Sequence, residues 1–285
     1  MKKRIIDFID DKIETLRAQP AGFDWERKLR EHLDNTVYLE PYGFKVYSQN
    51  DEDGIITEIF RRIGTTNKRF IEFGVENGIE CNSHYLLLKD WTGLWIEANP
   101  KAYKKIQQQF KSVIKNGQLK IHNSVVACEN INSILQNQNF TGEIDLLCID
   151  IDGNDYHIMK AITTVNPRVI IIEYNALLPP ECEWIMKYDP NYCWNYTSIQ
   201  GASLKSLEKL GKQKGYKLVG TNVAGVNAFF VREDLTKELF PTPATAENLY
   251  NPFRKLNIKS TGAHPTTQCL KNFAHTEDKI DENHN

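Results

Sequence analysis

Acids and glycines at the ends of apolar runs are the residues of this sequence best placed to do chemistry. Phe70-Ile71-Glu72-Phe73-Gly74-Val75-Glu76-Asn77-Gly78 is an apolar strand entering a glycine-bearing turn ahead of a helix. Glycine permits positive φ and lets a ligand approach the backbone closely. A dinucleotide-binding chain would carry G-x-G-x-x-G here and hold a pyrophosphate on the helix N-terminus. Glu72 and Glu76 flank Gly74 instead. Two carboxylates repel a pyrophosphate and suit a ligand with a sulfonium and an ammonium group. Trp95-Ile96-Glu97 ends the next strand in an acid placed to accept both hydroxyls of a ribose. The other use of Glu97, an acid near the positive end of a helix that starts at Pro100, fits the spacing from Gly74 less well. The third strand leaves through His122-Asn123-Ser124, where position alone puts Ser124 over a bound base.

A second group lies further on. Ile149-Asp150-Ile151-Asp152-Gly153-Asn154-Asp155-Tyr156-His157 sets three acids and a histidine just past a buried strand. Asp150 takes the last strand position, facing the middle of the sheet and the expected reaction centre. Asp152 and Asp155 flank a turn glycine, and capping the next helix is the alternative use of each. Glu173, Tyr174 and Asn175 follow the next strand. If these strands adjoin, Asp150 and Glu173 raise one another's pKa, and one becomes a general base toward an acceptor hydroxyl. The same oxygens suit Mg²⁺ or Ca²⁺. On these grounds Asp150, Asp152, Glu173 and Asn175 are the expected catalytic residues. Glu72, Gly74, Glu76, Gly78, Glu97, Ser124 and Asp150 are the expected donor-binding residues. His157, one turn into a helix, reads as a base or a surface side chain.

The elements that must position these groups alternate. Helical spacing runs from Ile5 to Leu16, breaks at Pro20-Ala21-Gly22, and resumes behind Asp24 through Trp25, Leu29 and Leu33. From Ser48 onward, helices are expected at 53–63, 82–89, 100–115, 131–136 and 156–163. Strands are expected at 70–73, 93–97, 119–122 with a continuation over 124–128, 144–149 and 169–173. Asp145-Leu146-Leu147-Cys148-Ile149 and Val169-Ile170-Ile171-Ile172 are continuously apolar after their first residue, as strands buried on both faces are. Repeated strand–helix–strand units imply an α/β, doubly wound, Rossmann-like sheet that binds ligands beyond its carboxyl edge. Residues 176–200 interrupt the rhythm with Pro179-Pro180 and many aromatics, and read as a lid over the acceptor. Ser203 caps a helix to Gly215, and 216–219 and 228–231 form a late antiparallel pair at the sheet edge. The expected organisation is a helical appendage over 1–45, a ligand-binding domain over 46–240, and a polar tail over 241–285 that is partly disordered.

The 285 residues, 41% hydrophobic and 25% charged, are enough for a core without disulfide or metal staples. A formal charge of −2 offers no electrostatic footprint for a nucleic acid. Asp7, Asp10 and Asp11 interrupt the apolar residues behind Lys2-Lys3-Arg4, so no secretory core forms there, and no run is long enough to span a bilayer. The six cysteines form neither C-x-x-C nor zinc spacing. Cys128 and Cys148 read as reduced core thiols of a cytoplasmic protein, and Cys182 and Cys193 as loop thiols.

In order and type these motifs resemble the class I methyltransferases, and most closely the FkbM-like group found in polysaccharide and natural-product biosynthesis. Residues 149–155 look like that group's I-D-x-E-G-x-E run, with Asp152 and Asp155 in place of both glutamates. Tyr47-Ser48-Gln49-Asn50-Asp51-Glu52-Asp53-Gly54 resembles its S-Q-x-x-E-D segment. Residues 201–204, 214–218 and 225–231 are similar to late motifs of related bacterial enzymes. The resemblance spans about residues 45–235. It implies S-adenosylmethionine as methyl donor, S-adenosylhomocysteine as product, and a small-molecule or glycan-precursor acceptor methylated on oxygen.

Overall fold

The structure, a computed structural model, describes residues 20–194 and 197–254. The expected helix over 5–16, Tyr196, Cys269 and the end of the tail lie outside them. A 7-stranded sheet contains β1 (Arg69–Phe73), β2 (Thr92–Glu97), β3 (Leu119–Asn123), β4 (Gly142–Ile149), β5 (Val165–Glu173), β6 (Tyr216–Thr221) and β7 (Asn227–Arg232) in the order β3-β2-β1-β4-β5-β7-β6. The first five strands are parallel to their neighbours. β7 is antiparallel to β5 and to β6. Strand order reverses between β1 and β4, which opens a crevice at their carboxyl ends.

The periodicities explain the layers. Alternate strand residues feed opposite faces. Ile71, Phe73, Leu147, Ile149 and Ile170 join one buried cluster. Phe70, Trp95, Leu146, Cys148 and Ile171 join the other. Helices cover both faces: α1 (Pro20–Leu33), α2 (Glu52–Ile63), the short α3 (His84–Leu87), α4 (Pro100–Gln109), α5 (Lys111–Lys115), α6 (Ile131–Asn137), α7 (Asp155–Ala161), α8 (Leu204–Gln213), and the short α9 (Glu233–Thr236) and α10 (Ala246–Leu249). Asn99 caps α4 by accepting from the amides of Lys101 and Ala102, and Ser203 caps α8 by accepting from Ser206 N.

Four local expectations change. α1 starts at Pro20, ahead of Asp24, because proline suits the first turn of a helix, where its missing N–H is not needed. The helix expected over 100–115 is two, parted at Phe110. β3 stops at Asn123, and 124–128 leave the sheet. The chain past 240 continues into the core: Ala246, Leu249 and Tyr250 are buried in the first of the two clusters, with α10 against β6 and α8. There the Tyr250 hydroxyl donates to Ala176 O at 2.6 Å, and that of Tyr174 donates to Asn251 O.

The amino edge of the sheet is held by one carboxylate. Asp145, fully buried in β4, accepts from the amides of Thr66, Asn67 and Lys68 at 2.6–3.0 Å and from Arg168 Nη1 at 2.8 Å. Arg168 also donates to the carbonyls of Ile63 and Gly64, tying the end of α2 to the foot of β5. Asp145→Ala leaves the buried Arg168 charge and the amides of Thr66, Asn67 and Lys68 short of a partner. It is expected to cost about 3–5 kcal/mol in urea unfolding, while the folded fraction keeps wild-type affinity for S-adenosylhomocysteine.

Candidate functional site

The glycine turn after β1 is shaped by contact. Gly74 sits at φ +71°, and a Cβ there would lie 1.7 Å from the carbonyl oxygen of Asp150. Gly78, at φ +75°, would meet the rings of Trp95 and Phe110 at 2.7 and 2.9 Å. Only glycine meets both demands. Glu97 at the end of β2 is 7% exposed and accepts from Glu76 N at 2.8 Å and Asn99 N at 2.7 Å. Burial holds its pKa above the ordinary carboxylate value against these bonds. Each of its oxygens keeps a second lone pair for a hydroxyl. Glu76, exposed and at φ +48°, stands beside it. Ser124 is half-buried, and its amide donates to Glu97 O at 3.2 Å. The ends of β1, β2 and β3 thus carry Gly74, Gly78, Glu76, Glu97 and Ser124 on one margin.

Glu72 is not free to join that margin. Its carboxylate is 2% exposed and accepts from Asn82 N at 2.7 Å, Ser83 N at 2.9 Å and the Ser83 hydroxyl. Ser83 in turn accepts from Trp95 Nε1 at 2.8 Å. Glu72 therefore braces the 82–83 segment, and it reaches the site only through its charge, one of those acting on Asp150.

The acids after β4 and β5 do converge. β4 and β5 pair in parallel up to Ile149 and Ile172, so their next residues adjoin. Asp150, Asp152 and Glu173, all half-buried, each offer an oxygen within 4.8 Å of the others. Burial, with the charges of Asp152 and Asp155, pushes Asp150 well above the usual carboxylate range. Burial and then Asp150 do the same to Glu173. Neighbouring carboxylates this close share a proton rather than ionise together. The set is also one of hard oxygen ligands of the kind a divalent cation takes.

Asp155 does other work. It is 1% exposed, accepts from Ile151 N at 2.9 Å and Gly153 N at 2.8 Å, and so closes the turn that displays Asp150 and Asp152. Its pKa is raised to about 6, by burial first. Asn175, expected to be catalytic, is 7% exposed, and its Nδ2 donates to Ser198 O at 2.8 Å and Gln200 O at 3.1 Å. The amide is used up fastening 198–200, and it does not face an acceptor.

Sequence reasoning missed the fastening of the aromatic segment. His157 is neither base nor surface group: its Nε2–H donates to Met186 O at 2.7 Å. Asn154 Nδ2 donates to Asp189 O at 2.7 Å. The Tyr188 hydroxyl donates to Glu129 at 2.6 Å and accepts from Cys128 N at 3.0 Å. Gln200 Nε2 donates to Glu173 at 3.4 Å. The only signal available was polar residues on the first turn of α7 with no other task. The acids of 51–53 are structural too. Asp53 Oδ2 gathers the amides of Val46, Tyr47 and Ser48 at 2.6–2.9 Å. Glu52 accepts from Asn222 at 2.8 Å and Asn227 at 3.0 Å, pinning the start of α2 to the β6–β7 turn.

Among solved structures, the N-terminal domain of EvdMO1 with SAH bound is 13% identical, with a TM-score of 0.43, covering 75% of this chain and 95% of that one. Magnesium protoporphyrin IX methyltransferase from Synechocystis PCC 6803 with bound SAM is also 13% identical, with a TM-score of 0.44, covering 78% and 97%. Likenesses this distant carry no functional argument. No curated protein matches the sequence. The methyltransferase FkbM domain matches residues 58–217, more than half of the chain. The glycine turn, Glu97 and the Asp150 turn all fall within that match, and the chain belongs to the FkbM methyltransferase family.

Proposed function

We propose that this methyltransferase moves a methyl group from S-adenosylmethionine to a hydroxyl oxygen of a sugar or another small acceptor, in the cytoplasm, during biosynthesis of a cell-surface polysaccharide. One observation carries the reading. The margin bearing Gly74 and Glu97 meets the Asp150–Asp152–Glu173 cluster at the point where the strand order reverses. A cationic donor can therefore lie with its reacting end against acids. Glu97 accepts from the ribose hydroxyls, the 74–78 turn passes under the methionine portion, and Ser124 borders the adenine.

The acceptor oxygen attacks the methyl carbon in line with the departing sulfur. A C–O bond forms, the C–S bond breaks, and S-adenosylhomocysteine leaves. The hydroxyl proton passes to the ionised member of the carboxylate cluster. Most of the rate comes from holding the two reactants in near-attack geometry, and the base adds a further ~10²–10⁴-fold. The segment over 176–200 covers the acceptor and keeps water out. The same three carboxylates could hold a divalent cation that orients the acceptor hydroxyl. A phosphoramidate-type glycan decoration or a natural-product hydroxyl is the alternative acceptor, and a non-catalytic binding protein is the rival class.

Glu97→Ala is expected to weaken S-adenosylhomocysteine binding by calorimetry about 30-fold, on the order of 2 kcal/mol. Asp150→Asn should still bind S-adenosylhomocysteine and lower kcat by ~10²-fold or more. Unchanged methyl transfer in both variants would sink the assignment of the site. Because the base must be ionised and its folded pKa is raised, wild-type kcat should climb with pH on an acid limb above the ordinary carboxylate range. That limb should vanish in Asp150→Asn. Tritium transfer from labelled donor into glycan precursors reads the reaction itself, and transfer that survives EDTA rules out the cation.

A further inference from the structure

The aromatic segment borders an open cavity of about 450 Å³ lined by Met186, Tyr188, Asp189, Tyr192, Thr197 and Ile199. That volume lies within the roughly 300–1,000 Å³ of small-molecule sites. The Tyr192 ring joins this cavity to the reactive turn. Its Cδ1–Cε1 edge stands over Gly153, where a Cβ would come within 2.5 Å of both atoms. Its phenol is pushed up by burial first and then by the charges of Asp152 and Glu173. One side of the ring is thus a wall of the cavity, and the acids of the methyl-transfer point stand beside it.

We propose that this cavity is the acceptor subsite and that it takes a single uncharged sugar residue whose C–H face lies on Tyr192. The inference rests on the methyl-transfer reading above and narrows its acceptor.

Three features carry it. The hydroxyl of Tyr192 donates to Ile199 O at 3.0 Å, and that of Tyr188 is engaged by Glu129 and Cys128. Both residues therefore offer ring surface, which suits the apolar face of a pyranose. The edge of such a ring carries hydroxyls. Gln200, which follows the lining residue Ile199 and donates to Glu173, keeps a buried Oε1 with no hydrogen-bond partner. The largest charges acting on Asp150 and Glu173 are acidic, so a phosphate carried into the reacting end would meet like charge. Lys187, exposed on the lining, is accompanied there by Asp189. The cavity can stand where it does because His157 and Asn154 bind the carbonyls of Met186 and Asp189. It is held in register with the turn that bears Asp150.

The test is saturation-transfer NMR on the full chain loaded with S-adenosylhomocysteine. The probes are methyl glycosides of neutral hexoses and 6-deoxyhexoses, set against hexose 6-phosphates. At least one neutral glycoside should bind, with the phosphates weaker by about tenfold or more. Tyr192→Ala and Gly153→Ala should each weaken the glycoside by about tenfold, and Tyr192→Phe should hold it within about threefold, since the ring does the binding. Calorimetry should find S-adenosylhomocysteine affinity within about twofold of wild type in all three, which separates a lost subsite from a lost fold. Phosphates that bind as well as neutral glycosides, or Tyr192→Ala that binds like wild type, overturn the proposal. Donor-product binding with no glycoside contact overturns the subsite and leaves methyl transfer standing. Failure of the wild type to bind S-adenosylhomocysteine overturns both.

Discussion

The contact between Gly74 and the carbonyl of Asp150 is the constraint around which the active edge is built. Two parallel strands that neighbour each other at the switch point end at almost the same height. Their exits would collide if either carried a side chain at that place. Leaving out one Cβ lets the turn after β1 fold across the end of β4, and it brings the donor margin and the carboxylate turn within reach of one another. The positive φ at Gly74 follows from the same need, since the chain must reverse over its neighbour without leaving the crevice.

The acids at this edge divide their labour by hydrogen bonding. Glu72, Asp53 and Asp155 each accept two or more backbone amides, which fixes the segments that carry the site. Asp150, Asp152 and Glu173 crowd one another instead, and burial together with that crowding raises the pKa of Asp150 and of Glu173. In a low-dielectric crevice this is a reservoir of negative potential, which favours a sulfonium donor and a departing proton alike. One element does both jobs. The turn closed by Asp155 presents Asp150 upward and receives the aromatic segment through Asn154.

Much of this was legible in the sequence because it depends on patterns local to the chain. Apolar runs marked the buried strands, and glycines with an acid beyond marked the margin formed by the ends of β1 and β2. Asp150 and Glu173 could be paired once β4 and β5 were taken as neighbours. The roles of Glu72 and Asn175 were not legible. Whether a strand-end polar group faces a ligand or a backbone amide depends on where loops remote in sequence come to rest. Asn175 is claimed by carbonyls more than 20 residues on. The packing of 241–254 escaped for a related reason, as it buries scattered residues such as Leu249 and Tyr250 with no periodic run to announce them.

The ring of Tyr192 and the bare backbone of Gly153 fill one space between them. Their sizes are therefore a sum rather than two separate choices. A chain with any larger residue after Asp152 would have to move or shrink the aromatic opposite, and one that lost the aromatic would open a gap over the turn. The shape of the surface over this turn is thus written partly in a residue that has no side chain at all.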